Sequence, residues 1–324
     1  MNKNLKKTLL ILLIVSAALI LTWRIMFAFS FVTDVTYGVN FSQKQADSLG
    51  LDWKRAYLSI LNDLNVKNLR LVAYWDLIEP KQGNFNFADL DWQMDQARRH
   101  NAKVILAIGQ RVPRWPECHY PTWVSDLSES RREQALLAYI QTVVEHFKND
   151  PALEIWQVEN EPFLEVFGEC PPRDKPLLMS ELELVKQIDP DHPTMVTDSG
   201  EMATWFRTRK LADYLGTSVY RTTYPLQNLL IPASYYRLKA WLIEKPIDKI
   251  LVSEFQAEPW SSEMLIDTPI NLQKRNFNLD KFIDDIKFSQ KLGFSRVYWW
   301  GAEWWYWMRL QGDPAIWDEA KLLF

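Results

Sequence analysis

The sequence predicts an α/β fold closed into a (β/α)8 barrel and preceded by an N-terminal transmembrane helix. Three observations predict the barrel. Strand and helix patterns alternate to the end of the chain, giving eight β-then-α units in about 290 residues. The strands are short apolar runs of the buried, parallel kind. No glycine-rich phosphate loop follows the first strand: Tyr37-Gly38-Val39-Asn40-Phe41 holds one glycine and the whole chain only ten, which argues against an open doubly wound sheet.

In order, strands are expected at Thr36 to Phe41, Asn68 to Ala73, Lys103 to Ile108, Leu153 to Val158, Pro193 to Thr197, Tyr214 to Tyr220, Lys249 to Glu254 and Arg296 to Trp300. Helical spacing of apolar residues runs through Gln43 to Leu64, Leu90 to His100, Ser128 to Phe147, Lys175 to Ile188, Thr204 to Ala212, Ser234 to Ile243, Leu279 to Leu292 and Pro314 to Leu323. The longer loops follow the third, fourth, sixth and seventh strands. All fall on the C-terminal rim, where a barrel builds its site.

The amino terminus reads separately. Residues 1–7 carry three lysines, and residues 8–31 are mostly apolar and free of charge except for Arg24, which would snorkel to the interface. Together they read as a basic cytoplasmic tail and a signal anchor, with residues 32–324 as the catalytic domain outside. A cleaved signal peptide, cut near Ala28-Phe29-Ser30, is the alternative, and would leave a secreted protein. Export bears on the cysteines. Cys118 and Cys170 lie in loops after neighbouring strands, and outside the cytoplasm such a pair either oxidises to a disulfide or stays as two thiols.

Composition excludes other classes. Net charge is -4 with a pI near 5.7, without the basic surface a nucleic-acid partner needs. Four scattered histidines and no CxxC or HExxH spacing give no metal-site pattern, and no cofactor is expected. The 16 tryptophans are the unusual feature, and over half should be core. The run Trp304-Trp305-Tyr306-Trp307 reads either as a sugar groove or as a rest on lipid.

The stretch Ile155-Trp156-Gln157-Val158-Glu159-Asn160-Glu161-Pro162 carries the chemistry. An apolar strand ends at a carboxylate, and Pro162 stops regular pairing. Ile250-Leu251-Val252-Ser253-Glu254 repeats that pattern. Two carboxyl groups flanking one bond, one protonated and one ionised, are what glycosidic cleavage needs, and Glu161 and Glu254 are the candidates. Arg70, inside an apolar strand, needs an anion. Glu159 points away from Asn160 and reads as structural. Glu201, Glu303, Gln110, Trp115 and His119 are further possible sugar contacts.

Several of these motifs together resemble clan A of the glycoside hydrolases, the retaining (β/α)8 glycosidases that include β-galactosidases, xylanases and cellulases. Trp156-x-x-x-Asn160-Glu161-Pro162 is similar to their fourth-strand signature. Val252-Ser253-Glu254-Phe255 is similar to their seventh-strand motif, and Leu69-Arg70-Leu71 to their second strand. Tyr74 to Pro80, Gly83 to Phe87 and Leu90-Asp91 resemble the β-galactosidase and xylanase-like members. The resemblance implies Glu254 as nucleophile and Glu161 as acid and base. It also implies Arg70 and Tyr220 on the Glu254 charge, Asn160 on the sugar 2-hydroxyl, and Trp300, with Trp299 as a further candidate, under the sugar.

The implied protein is a membrane-anchored retaining glycosidase acting on β-linked oligo- or polysaccharides. A glycan-remodelling transglycosylase with the same site, or a catalytically silent carbohydrate-binding barrel, are the alternatives. The third-loop text Arg111-Val112-Pro113-Arg114-Trp115-Pro116-Glu117-Cys118 matches no subfamily pattern.

Overall fold

The computed structural model describes residues 3–28, 34–171, 175–222, 231–261 and 263–324. Eight parallel strands pair in chain order and close on themselves. They are β1 (Thr36–Asn40), β2 (Asn68–Val72), β3 (Lys103–Ile108), β4 (Leu153–Val158), β5 (Thr194–Asp198), β6 (Tyr214–Val219), β7 (Ile250–Gln256) and β8 (Arg296–Trp300), with β1 paired to β8. Every strand expected from the sequence is present within a residue or two at its ends.

Inside the cylinder, Ile105, Ile155, Met195, Leu251 and Tyr298 form a packed floor. Gly38 makes room for it: a Cβ there would lie 2.7 Å from the Tyr298 ring. The outer faces of the strands meet the helices in one larger core. Nine of the sixteen tryptophans are buried, so most of the surplus is packing.

Two helical expectations and one reading of a tryptophan run need correction. Gln43 to Leu64 is two helices, Gln43–Ser48 and Trp53–Asn62. Gly50 turns the chain at φ 69°, and Asp52 restarts it by accepting from the Lys54 and Arg55 amides at 3.1 and 3.2 Å. Thr204 to Ala212 is a run of turns. There Trp205 donates to Ser199 O at 3.0 Å and the Thr208 hydroxyl bonds Asp198 Oδ2 at 2.9 Å, local bonds that compete with a helix. The Trp304-Trp305-Tyr306-Trp307 run is neither a groove nor a lipid rest. It lies in the helix Ala302–Leu310, with Trp304 and Trp305 fully buried against the barrel.

The N-terminal helix Lys3–Ala28 contains an 18-residue stretch, Asn4–Leu21, of mean hydropathy 2.0 and no buried residue. By length and composition it can cross a membrane. The Arg24 side chain, the end of the expected span at 29–31, and Phe29 and Ser30 of the alternative cleavage site lie outside the described residues.

Candidate active site

Arg70 is the hub. It projects inward from β2, is 1% exposed, and each guanidinium nitrogen is used. Nε donates to Gln157 Oε1 at 2.6 Å, and Nη2 to Asn160 Oδ1 at 2.8 Å. Nη1 reaches Asn40 Oδ1 at 2.8 Å and Glu254 Oε1 at 2.6 Å. A buried guanidinium is tolerated on such terms, paired and fully hydrogen-bonded.

Glu254 points into the barrel because β7 is bulged. Thr217 pairs with Val252 while Ser218 pairs with Glu254, so one extra residue sits on β7. Without it, alternation from the inward Leu251 would turn Glu254 outward and Phe255 inward. With it, Phe255 joins the outer core against Trp299. The second carboxylate oxygen accepts from the Tyr220 hydroxyl at 3.0 Å. Burial, then the Glu254 charge, push the Tyr220 phenol well above its usual range, so it stays a donor.

At the end of β4, Gln157 still faces inward. Positive φ at Glu159 (60°) and Glu161 (42°) then breaks the alternation. The Glu159 carboxylate accepts from the Gln110 and Arg111 amides at 2.8 and 2.7 Å, pinning the loop after β3, as its structural reading expects. Gly109 at φ 122° leaves the room: a Cβ there would meet Glu159 Oε1 at 2.5 Å. Asn160 and Glu161 turn into the mouth. The Thr197 hydroxyl bonds both, accepting from the Glu161 amide at 2.8 Å and donating to Asn160 Oδ1 at 3.0 Å.

The Glu161 carboxyl receives the Ser218 hydroxyl at 2.8 Å. Its pKa is raised well above the carboxylate range, by burial first and then by the negative charges of Glu254 and Glu117, while Ser218 pulls partly back. One carboxyl gripped by a guanidinium and a phenol, the other buried and pushed toward its protonated form, is the split that acid–nucleophile chemistry requires.

Sequence reasoning missed a third carboxyl. Glu117 Oε2 accepts from Asn160 Nδ2 at 2.9 Å, and burial followed by the Glu254 charge push its pKa up to about 8. Cys118, the next residue, is bonded to Cys170 in this structure. Asn40, Gln157, Thr197, Ser218 and Arg114 were also missed. Each is a polar residue in or beside an apolar strand or loop, and only Arg114 had a sequence cue, as a charge in the unmatched third-loop text.

The remaining candidates separate. Trp300 lies at the mouth with the Arg114 guanidinium 3.9 Å from its ring centroid. Trp299 is corrected: it is wholly buried on the other face of β8 against Tyr37, Phe255 and Phe282, and lines no opening. Glu201 accepts from the Tyr220 amide at 2.8 Å and the Tyr236 hydroxyl at 2.6 Å, so it supports Tyr220. Glu303 accepts from the Ser42 amide at 2.6 Å and from Arg114 Nη2 at 3.0 Å. Gln110 accepts from the His119 amide within the third loop, His119 Nε2 lies 2.9 Å from Arg114 O, and Trp115 stands 60% exposed on the rim.

Comparison with known proteins finds matches to part of the sequence and to the fold. The model of glycosyl hydrolase family 10 matches residues 54–170, about a third of the chain, taking in Arg70, Asn160 and Glu161 and ending before Glu254. The β-galactosidase Pbg of Clostridium perfringens is 27% identical over 148 residues, 40% of this chain and 21% of that one. Among solved structures, a β-galactosidase of the Antarctic haloarchaeon Halorubrum lacusprofundi superposes with a TM-score of 0.56 at 13% identity, covering 82% of this chain and 52% of that one. Xylanase 10B of Thermotoga maritima superposes with a TM-score of 0.56 at 16% identity, covering 85% of both chains. The structural likenesses speak for the fold alone. The chain spans about a fifth of the curated relative and about half of the haloarchaeal enzyme. Over residues 54–170 the chain is thus similar to glycosyl hydrolase family 10, and over most of its length it shares the barrel fold of these glycosidases.

Proposed function

We propose that this chain is a retaining glycosidase that cleaves β-linked sugars by double displacement. The observation that carries the reading is the pairing of Glu254 with Arg70 and Tyr220, beside a buried Glu161 that accepts from the Ser218 hydroxyl. The free edge of the Glu254 carboxylate attacks the anomeric carbon. The bond from that carbon to the leaving oxygen breaks as Glu161 delivers its proton to that oxygen. Water then attacks the glycosyl ester. Glu161, now a carboxylate, takes the water's proton, and Glu254 leaves as the carboxylate it began as. Asn160 serves the sugar 2-hydroxyl, and Trp300 lies under the ring. No step calls for a metal or organic cofactor.

The N-terminal helix is the second part of the proposal: residues 1–7 in the cytoplasm, residues 8–31 in the membrane, and the barrel outside. Three lysines before the span support that orientation, and the Cys118–Cys170 bond suits an oxidising compartment. The substrate is an oligo- or polysaccharide on that side.

The test is a panel of p-nitrophenyl β-galactoside, glucoside, xyloside and mannoside offered to the wild type, Glu161→Gln and Glu254→Gln. Release that disappears with Glu254→Gln, with β-configured sugar as first product in the wild type, supports the reading. Undiminished release by Glu254→Gln overturns it. Acceptor-dependent transfer products would replace hydrolysis by transglycosylation at the same site.

A further inference from the structure

A polysaccharide can lie through a barrel mouth only if the mouth is open on both sides of the reaction centre. The loop that leaves β3 reaches across one of those sides. Its Arg114 crosses the rim to the ends of β7 and β8, where Nη1 pairs with Glu258 and Nη2 with Glu303. All three side chains are buried, and the guanidinium carbon lies over the Trp300 ring, 3.9 Å from its centroid. A desolvated arginine between two carboxylates resists displacement, because moving it leaves both anions buried and unpaired.

The backbone of the loop is fixed by separate bonds. Pro113 O accepts from the Tyr74 hydroxyl at 3.1 Å at the end of β2, and that hydroxyl lies 2.6 Å from Ser42 Oγ at the end of β1. The disulfide ties the loop to the one after β4. A row of ring contacts adds to these ties. Trp115 meets Phe167, Phe167 meets Trp260, and Trp260 meets Tyr220, with centroids 5.7, 5.5 and 5.1 Å apart. That row runs from the loops after β3 and β4 across to those after β7 and β6.

We infer that Arg114 is a specificity-determining residue that blocks the Trp300 side of the mouth, so that the sugar beside Glu254 must be the terminal unit of its chain. A saccharide extended past Trp300 would have to pass through Arg114 and its two carboxylates. The enzyme therefore works from chain ends and does not cut within the chain. This rests on the glycosidase reading and adds the mode of attack.

The experiment uses reducing-end-labelled tetrasaccharides of β-1,4-linked xylose, glucose, mannose and galactose with the full-length protein. The expected result, on whichever sugar is accepted, is monosaccharide as first product, with label passing stepwise from four units to three to two. Early label in the disaccharide without trisaccharide, together with rapid loss of viscosity of the matching polysaccharide, overturns the inference and leaves the glycosidase reading standing. Absence of release from every aryl glycoside and oligosaccharide overturns both. Arg114→Ala should raise the share of internal cuts by about tenfold, the scale of a lost pocket contact. Should that variant fail to fold, Glu258→Gln, which removes the charge and keeps the shape, should move the product ratio the same way. An unchanged ratio in a folded variant counts against Arg114 as the block.

Discussion

Ser218 stands directly beside Glu254 across β6 and β7, yet its hydroxyl goes to Glu161, at 2.8 Å from Oε1. That hydroxyl bonds one carboxyl of the site from a backbone position paired with the other, and its effect on Glu161 has a definite sign. A hydroxyl donating to a carboxylate favours the ionised form. Ser218→Ala removes it, so the Glu161 pKa, already raised by burial and by Glu254, rises further. The alkaline limb of kcat/KM on an aryl glycoside should move up by about one pH unit, and hydrolysis of the glycosyl ester, which needs Glu161 ionised, should slow at neutral pH. A limb that stays in place or moves down contradicts this arrangement.

Arg70 joins four side chains from three other strands or their ends: Asn40, Gln157, Asn160 and Glu254. Arg70→Met keeps the length and removes every donor. It leaves Glu254 buried without its partner, which costs about 3–5 kcal/mol in comparable buried pairs. Chemical denaturation should show a loss of that order, and aryl glycoside release should fall with it. The double change Arg70→Met with Glu254→Gln should recover part of the stability and none of the activity, because the orphaned charge is gone and the nucleophile with it.

The barrel was legible in the sequence because strand and helix patterns there are strong and the strand interiors are plain apolar runs. The two glutamates were legible because each ends such a run. What was not legible depends on departures from regularity. The bulge on β7 that turns Glu254 inward has no signature in Val252-Ser253-Glu254, and counting alternate residues would have turned it outward. Trp299 and Trp300 show the same limit, since neighbours on a strand face opposite ways and only the register says which one meets the mouth. Glu117 reaches Asn160 through a long loop held by a disulfide and by the short bridge between Arg111 and Cys118. Such placement is tertiary, and local sequence does not encode it. The turns at 204–212 were misread because helical spacing was present while Thr208 and Trp205 bonded locally instead.

Glu117 gives a shift opposite to that of Ser218. Once ionised, above about pH 8, its charge is one of the causes that raise Glu161, so Glu117→Gln should lower the Glu161 pKa and move down the part of the alkaline limb that lies there. The same variant tests a linkage effect. In the folded protein Glu117 keeps its proton up to about pH 8, whereas an unfolded glutamate releases it near 4.3 or so. Between those values the folded state binds more protons, so this group's contribution to stability is lost as pH rises. Melting temperatures measured from pH 5 to 8 should fall less steeply for Glu117→Gln than for the wild type. Parallel slopes would mean that Glu117 titrates normally.

The Cys118–Cys170 bond closes a loop of 52 residues in sequence, and one end of it adjoins Glu117. Cross-linking a loop of that size restricts the unfolded chain by about 4 kcal/mol on the chain-entropy estimate. Reduction of the wild type, or Cys118→Ser with Cys170→Ser, should therefore lower unfolding stability by up to about that amount. The bond also holds the turn that carries Glu117 against Asn160, so its loss should affect the site as well as the fold. With Glu117 free to withdraw, the alkaline limb should move down, in the same direction as in Glu117→Gln, and combining the two changes should give little further shift. Two additive shifts would separate the disulfide from Glu117 and leave it a purely structural staple. No change in melting temperature on full reduction, confirmed by thiol titration, would show that the loop is held by the Arg114 pairs and the Tyr74 bond alone.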